Sequence, residues 1–328
     1  MRGRNLSSAS GITSVKGIAV GHYTDAQHGT GCTVVMCEGG AVGGVDVRGS
    51  SPGTRETDLL RPTFAAPVVH AILLSGGSTF GLDAASGVMR YLEEKGVGIR
   101  FGGHTIPLVP AAILFDLSMI DGKTRPGPQE GYAASVSASS GPVAQGSVGA
   151  GTGTTVAKSR GREYAVKGGI GTASVTLNGG ITVGAIVAVN AIGGVFDIDS
   201  GAMIAGPRSE KGMSDPLAAY LGDGYNLPVS DPLSNTTIGV VATDAALTKE
   251  QTNKLASVAH DGLAIAVRPA HLTSDGDTMF ALATGQQKER IAFDRLCAAT
   301  TVTVARAIAS AVRNATGLGG VPSINELG

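Results

Sequence analysis

The chain has 328 residues, 42% of them apolar, with 25 basic against 26 acidic residues and a formal net charge of −1. That length and apolar share can bury one large core, as one domain or as two intimately packed halves. The near-neutral balance, without an extended basic run, points away from nucleic acid and anionic membranes as partners.

The 50 glycines are scattered through apolar stretches without a three-residue period, so they read as tight turns and close backbone packing rather than collagen or a flexible linker. The absence of Trp and the 4% aromatic share argue against a binder built on stacking. Cys32, Cys37 and Cys297 form no metal-like cluster with the histidines. Cys32 and Cys37 lie on a strand-like run at a spacing that points them to opposite faces and makes pairing unfavourable. A reducing cytoplasm is the simplest reading of that cysteine usage.

Taken in chain order, Met1–Ser10 carries charge but no apolar core after it and is not read as a signal peptide. Strands are predicted at 32–37, 41–47 and 68–74. Between them, Arg48, Arg55, Glu56 and Asp58 surround Pro52-Gly53, as a salt-bridged turn or as a loop closing over a site. A helix is predicted from about Thr79 to Lys95, with Leu82, Ala85, Val88, Met89 and Leu92 on one face and Gly96 as its stop.

Lys158 follows a Gly/Thr-rich run, but Ala157 stands where a phosphate-binding loop needs glycine, so the nucleotide reading is rejected. Lys158 and Lys167 are each either a surface lysine or an ammonium reaching a cleft, and the surface reading is the stronger for Lys167. Strands at 172–177 and 181–189 flank Asn178-Gly179, the signature of a type I′ hairpin. Asn190 closes the second strand. A buried amide there must find partners or costs about 1–3 kcal/mol, so it is a satisfied turn residue or an oxyanion donor. The most apolar stretch, 181–196, is too short and too broken to span a bilayer.

Residues 199–233 read as an exposed connection, the kind of segment that tolerates new chain termini. A strand follows at 237–243. A helix then starts at Thr248, with Gln251 completing a capping box, and ends at Gly262. Strands at 264–267 and 278–283 precede a helix rich in Ala, Ile and Val, from about Glu289 to Asn314, expected to pack on a sheet. Helices flanking two layers of mainly antiparallel strand is the architecture this order suggests.

Two segments carry chemistry. In Leu233-Ser234-Asn235-Thr236-Thr237-Ile238, a small nucleophile sits at the mouth of an apolar strand. A threonine hydroxyl needs a base, and cleavage between Asn235 and Thr236 would supply one as the α-amine of Thr236; an ordinary turn before an ordinary strand has the same pattern. In Asp275-Gly276-Asp277, two carboxylates at close spacing before another apolar strand form a proton-handling pair, their repulsion raising one pKa, or else a solvated turn. An EF-hand is excluded, because Thr-Met-Phe-Ala-Leu follows Asp277 where further oxygen ligands are required.

These segments belong to a series of blocks: Gly-Ile-Ala-Val-Gly-His at 17–22, Pro-Gly-Thr-Arg-Glu-Thr-Asp-Leu-Leu at 52–60, Leu-Ser-Gly-Gly-Ser-Thr-Phe-Gly-Leu at 74–82, Gly-Ala-Gly-Thr-Gly-Thr-Thr-Val-Ala-Lys at 149–158, Val-Ala-Val-Asn at 187–190, Asn-Thr-Thr-Ile-Gly at 235–239 and Asp-Gly-Asp-Thr at 275–278. In this order they resemble the DmpA-type L-aminopeptidase/D-esterase family of self-processing hydrolases, which includes the nylon-oligomer hydrolases and is similar in fold to ornithine acetyltransferase. The resemblance implies an α+β fold, a four-layer αββα sandwich. It implies a single domain, 1–328, that cuts itself into an N-terminal chain 1–235 and a C-terminal chain 236–328.

It further implies Thr236 as nucleophile, Asp275 and Asp277 as the acidic pair beside it, and Lys158 and Asn190 lining the same site, the latter as an amide donor near the oxyanion. Phe80 departs from the tyrosine that relatives often carry at this substrate-contacting position, removing a phenolic hydrogen bond. Members nearer DmpA itself use serine with a Ser/Glu pair, so this chain sits on the threonine branch. The expectation is therefore a cytoplasmic, cofactor-free aminopeptidase acting on short peptides, amides or esters, assembled as a homo-oligomer of cleaved heterodimers. The alternatives are an acyltransferase of the ornithine acetyltransferase kind and an uncut oligomeric scaffold.

Overall fold

One strand organises the molecule. In this computed structural model, which describes residues 11–222 and 235–327, Ala19–Asp25 (β1) pairs antiparallel with the first half of the strand Thr30–Val47 (β2). β2 is long enough to belong to two layers. Its first half also pairs with Val69–Ser75 (β4), and its register breaks between Met36 and Ala41, where Gly40 takes φ +78°. Its second half, from Val42 on, pairs with Thr278–Gln287 (β9).

The remaining strands extend the two layers outward. Beside β4 lies Ala111–Ile113 (β5), in parallel, and then Thr54–Arg55 (β3). Beside β9 lies Thr236–Ala245 (β8), in parallel, then Thr182–Asn190 (β7) and Gly169–Thr176 (β6), both antiparallel. Helices Ala84–Glu94 (α1) and Pro128–Val136 (α2) cover one layer, and Lys249–Ala266 (α3) and Phe293–Arg313 (α4) cover the other.

Strand alternation produces three separate cores. Cys32, Val34 and Met36 face α1 and α2 with Leu73, Val88 and Leu92. Val35 and Cys37 face the other way, into the space between the sheets, with Ile72, Ile186, Val240 and Phe280. Ala185, Val187 and Val189 point outward to Leu255, Leu263, Val304 and Ile308 of α3 and α4. Helices, sheet, sheet and helices with a core at each boundary make the expected four-layer αββα sandwich. The two cysteines of β2 lie on opposite faces as read from their spacing, and both are free.

Several local expectations are corrected. The helix read over 79–95 is a 3₁₀ turn, Ser78–Asp83, leading into α1. The strands β1 and β5 and the helix α2 were not foreseen. The Asn178-Gly179 turn is a three-residue loop, with Leu177 N–H on Ile181 O at 2.8 Å and positive φ at Gly179 and Gly180 rather than Asn178. Residues 199–222 are not irregular: they hold the strand Met203–Ala205, a hairpin of Arg208–Ser209 with Gly212–Met213, and the turn of helix Ala218–Leu221. The rest of that connection, with Leu233 and Ser234, and the N-terminal Met1–Ser10 lie outside the described residues. Lys167 is not at the surface; it is fully buried, donating to Gly151 O at 3.2 Å and Thr154 O at 2.9 Å.

Gly262 does not end its helix either. α3 starts at the Thr248–Gln251 capping box but runs on to Ala266, taking in most of the strand expected at 264–267; only Val267–Arg268 are extended. Gly262 serves the crossing of α3 and α4, because a Cβ there would lie 2.4 Å from Thr301 O. In an exposed helix, Gly→Ala gains up to about 1 kcal/mol. Here Gly262→Ala should instead destabilise the fold by about 1–3 kcal/mol, the usual result of overpacking, read as a lower denaturant midpoint at unchanged slope.

Candidate active site

Three adjacent strands converge at one edge of the helix-covered layer. β8 and β9 are parallel, so both begin there, and β7 runs the other way, so it ends there. The register sets Thr236 opposite Asn190 and pairs Ile238 with Thr278. Just ahead of β9, an isolated parallel bridge joins Asn235 to Asp275. The chain leaving β2 closes the edge from the far side: Arg48 N–H and Gly49 N–H donate to Asp277 O at 3.0 and 3.2 Å, and Ser51 N–H to Asp275 O at 2.9 Å. The segment 48–58 is not a turn salt-bridged within itself: Arg48 pairs with Asp46 and Asp58 with Arg61, both outside it, and Arg55 donates to Ser86 Oγ, while its backbone clamps the acidic pair.

Asn190, Asn235, Thr236, Asp275 and Asp277 are all buried. The Thr236 hydroxyl donates to the carbonyl oxygen of Asn235 at 2.5 Å, and the same oxygen accepts Gly276 N–H at 2.9 Å. Glycine is required between the two aspartates, because a Cβ at position 276 would lie 2.8 Å from Ser51 O and 2.9 Å from Thr236 Oγ1. The carbonyl preceding Thr236 thus faces a backbone donor and a hydroxyl at once.

The carboxylates are held differently. Asp277 accepts Thr237 N–H at 2.7 Å on one oxygen, and on the other the main-chain N–H of His271 at 3.2 Å and its ring Nδ1–H at 2.8 Å. Asp275 accepts Leu272 N–H at 2.7 Å on Oδ2, and its buried Oδ1 has no partner among the described residues. Burial, reinforced by Asp277, pushes the Asp275 carboxyl up to about 7. Burial pushes the Lys158 ammonium down to about 7, with Arg162 adding to the fall and Asp275 opposing it. An acid and an ammonium brought to the same range form a proton-handling environment.

Lys158 Nζ donates to Asn190 O at 3.0 Å and to Asn190 Oδ1 at 3.2 Å. The Asn190 side chain also accepts Thr155 N–H at 2.9 Å and donates through Nδ2 to Phe115 O at 3.0 Å. It ties the end of β7 to two loops. Phe80 is not part of this hydrogen-bonded cluster: it lies on the 3₁₀ turn Ser78–Asp83, exposed, with the Arg125 guanidinium 3.8 Å from its ring centroid.

Sequence reasoning did not find Gly276 N–H, His271 or the support behind Asn190. One residue after Phe115, whose carbonyl accepts Asn190 Nδ2, Asp116 accepts Gly77 N–H at 2.7 Å and the Thr30 hydroxyl at 2.8 Å, and burial raises its pKa to about 6. A buried charge next to an apolar run such as Ala111–Leu114 was the available signal for Asp116; His271 had none.

A buried hydroxyl against a backbone-held carbonyl, with paired carboxylates and a lowered lysine at a sheet edge, fits a hydrolase, and comparison with known proteins agrees. The model of peptidase family S58 matches residues 10–324. The chain belongs to that family and is a hydrolase of the peptidase class, which bears out the resemblance read from the sequence blocks. An uncharacterized aminopeptidase of Mycobacterium leprae is 43% identical over 95% of this chain and 92% of its own length. A 6-aminohexanoate-oligomer endohydrolase of Kocuria is 30% identical over 82% of this chain and 74% of its own. The solved L-aminopeptidase D-Ala-esterase/amidase of Ochrobactrum anthropi, described as a variant of the Ntn hydrolase fold, superposes with a TM-score of 0.71 at 21% identity, covering 98% of this chain and 91% of that one. Its fold is the same.

The Asp275 carboxyl, ordinarily near 3.8, is raised to about 7 in the fold. Between those limits the folded chain binds more protons than the unfolded one, so this group lowers stability as pH rises through that window. Asp275→Asn removes the effect. The melting temperature of Asp275→Asn minus that of the unmodified chain should increase from pH 4 to pH 8 in circular dichroism melts, and a flat difference would refute the raised pKa.

Proposed function

We propose that this chain is an autoprocessing N-terminal-nucleophile amidohydrolase, an aminopeptidase acting on short peptides, amides or esters through an acyl-enzyme on Thr236. The observation that carries this reading is the Asn235 carbonyl, which meets the Thr236 hydroxyl and Gly276 N–H on one oxygen, 2.5 and 2.9 Å away. The family membership and the aminopeptidase and endohydrolase names of relatives support it.

In the first stage, Thr236 Oγ attacks the Asn235 carbonyl carbon and gives up its proton to the Asp275–Lys158 environment. Gly276 N–H steadies the oxygen as it takes charge; one such donor is worth roughly 3–4 kcal/mol in the barrier. The C–N bond breaks, the proton returns to the leaving nitrogen, and an ester joins Asn235 to Oγ. Water then hydrolyses the ester, leaving a carboxylate on Asn235 and a free α-amine on Thr236.

In the second stage that amine takes the hydroxyl proton while Oγ attacks a substrate carbonyl. The substrate's amine or alcohol leaves with a proton, and water resolves the acyl-enzyme. Asp277 fixes the strand at Thr237, and Asn190 with Lys158 fixes the opposite wall. Phe80 and Arg125, outside the buried cluster, offer a face for the substrate.

Thr236→Ala should leave a single full-length band on a denaturing gel, where the unmodified chain gives fragments 1–235 and 236–328. It should also lower amide hydrolysis by on the order of 10⁴-fold or more. A cut and active alanine variant would end this reading. Offering acyl donors with and without an amine acceptor separates hydrolysis from acyl transfer.

A further inference from the structure

We propose that His271 is a positioning residue of the Thr236 site: its two N–H groups hold Asp277 as the charged member of the acidic pair and leave the pair's proton on Asp275. The inference rests on the reading of Thr236 as nucleophile and adds a residue outside the sequence blocks that point to the family.

Asp277 is surrounded by donors. Thr237 N–H reaches Oδ1 at 2.7 Å, while His271 N–H and ring Nδ1 reach Oδ2 at 3.2 and 2.8 Å, and the ring proton belongs on Nδ1 because buried Nε2 has no partner among the described residues to receive it. An ionised carboxylate accepts all three, and a protonated one would have to displace one of them. Asp275 has a single donor, Leu272 N–H on Oδ2, and a buried Oδ1 with no partner among the described residues. Two buried carboxylates that raise one another's proton affinity titrate as a pair, and unequal surroundings decide which of them holds the first proton. The unequal donor sets place it on Asp275, and the direction of its pKa agrees.

His271 adopts φ +60°, a left-handed conformation that costs free energy for most non-glycine residues and that surrounding structure must enforce. In that conformation its main-chain and ring N–H groups reach the same oxygen. The charged and titratable groups around it are few. From α3, the His260 ring packs edge-on at 4.9 Å, and its Nε2 lies 2.9 Å from Asp46 O. Burial holds His260 below its ordinary pKa. Asp46 is paired with Arg48 at 3.0 Å. Asp275 feels the charges of Asp277, Lys158 and His271.

The test uses the full chain with His271→Asn and His271→Gly, comparing processing on a gel with kcat, KM and the pH profile of amide hydrolysis. Asparagine tolerates positive φ and presents Nδ2–H where the ring donor was. Glycine relaxes the backbone and removes the side-chain donor. His271→Gly should lower kcat by about 10–100-fold, the usual cost of removing an outer-shell partner, with KM little changed. The acid limb of kcat should move, because the pair's proton is no longer held to Asp275 by unequal donor sets. His271→Asn should recover most of that rate and return the limb.

A residue needed only for backbone shape predicts the reverse order, with glycine the better replacement. A glycine variant with the unmodified profile, or an asparagine variant as impaired as glycine, would therefore overturn the inference. If melts show the glycine variant unfolded, His271→Ala is read in its place by the same criteria. An unmodified chain that neither cuts nor hydrolyses would defeat the reading of Thr236 instead, so the two failures are distinct.

Discussion

The parallel pairing of β8 with β9 is the constraint on which the site depends. The other neighbours from β6 to β2 in this layer are antiparallel, and antiparallel neighbours bring the start of one strand beside the end of the next. Only a parallel pair brings two starts together, which places Asn235-Thr236 beside Asp275-Gly276-Asp277. Parallel strands need a long crossover, and α3, lying between β8 and β9 in the chain, supplies it. The end of β7 at Asn190 and the exit of β2 at Arg48 complete the edge. Main-chain hydrogen bonds therefore set the positions of these side chains, and their placement is as rigid as the sheet.

Close backbone approach is the second condition. Gly276 has Ser51 O and Thr236 Oγ1 where a Cβ would be, and a Cβ at Gly49 would lie 2.3 Å from Asp275 O and Asp277 N. With glycine at both positions, two loops and a strand start pack to hydrogen-bonding distance and exclude solvent. Exclusion of solvent in turn raises the Asp275 carboxyl and lowers the Lys158 ammonium, since burial is the largest influence on each. The unusual glycine content and the shifted proton affinities are thus connected.

The sequence was informative where a segment's pattern reports its own backbone and silent where a neighbour decides. The starts of β7, β8 and β9 were legible to within a residue, though β8 and β9 run two and four residues further than their apolar runs, and the Thr248–Gln251 cap was legible too, because burial on both faces and helix initiation leave local signatures. The blocks around Thr236, Asp275 and Asp277 marked the segments that meet at the sheet edge. Gly262 misled: a glycine late in a helical pattern reads as a stop, but its cause is the α4 carbonyl lying against it. Lys167 misled for a similar reason, since its buried carbonyl partners come from the loop Gly151–Thr154, distant in local pattern. His271 precedes Asp277 by less than two helical turns' worth of chain, yet nothing in Pro-Ala-His-Leu announces that both its N–H groups turn onto one carboxylate oxygen.

The proposed cut is compatible with a site that keeps its shape afterwards. From Thr237 onward the chain is fixed by β7, β9 and the Asp277 carboxylate, so none of the groups that hold β8 depends on the Asn235–Thr236 bond. An α-amine released at Thr236 would stand buried, opposite Asn190, and desolvation there would depress its proton affinity, favouring the neutral form that a base requires. Asp277, whose oxygens accept from Thr237 and His271, would oppose that fall as a carboxylate. On this account the groups that assist peptide cleavage in the precursor are the ones that tune the base in the cleaved protein, and one arrangement at the sheet edge serves both reactions.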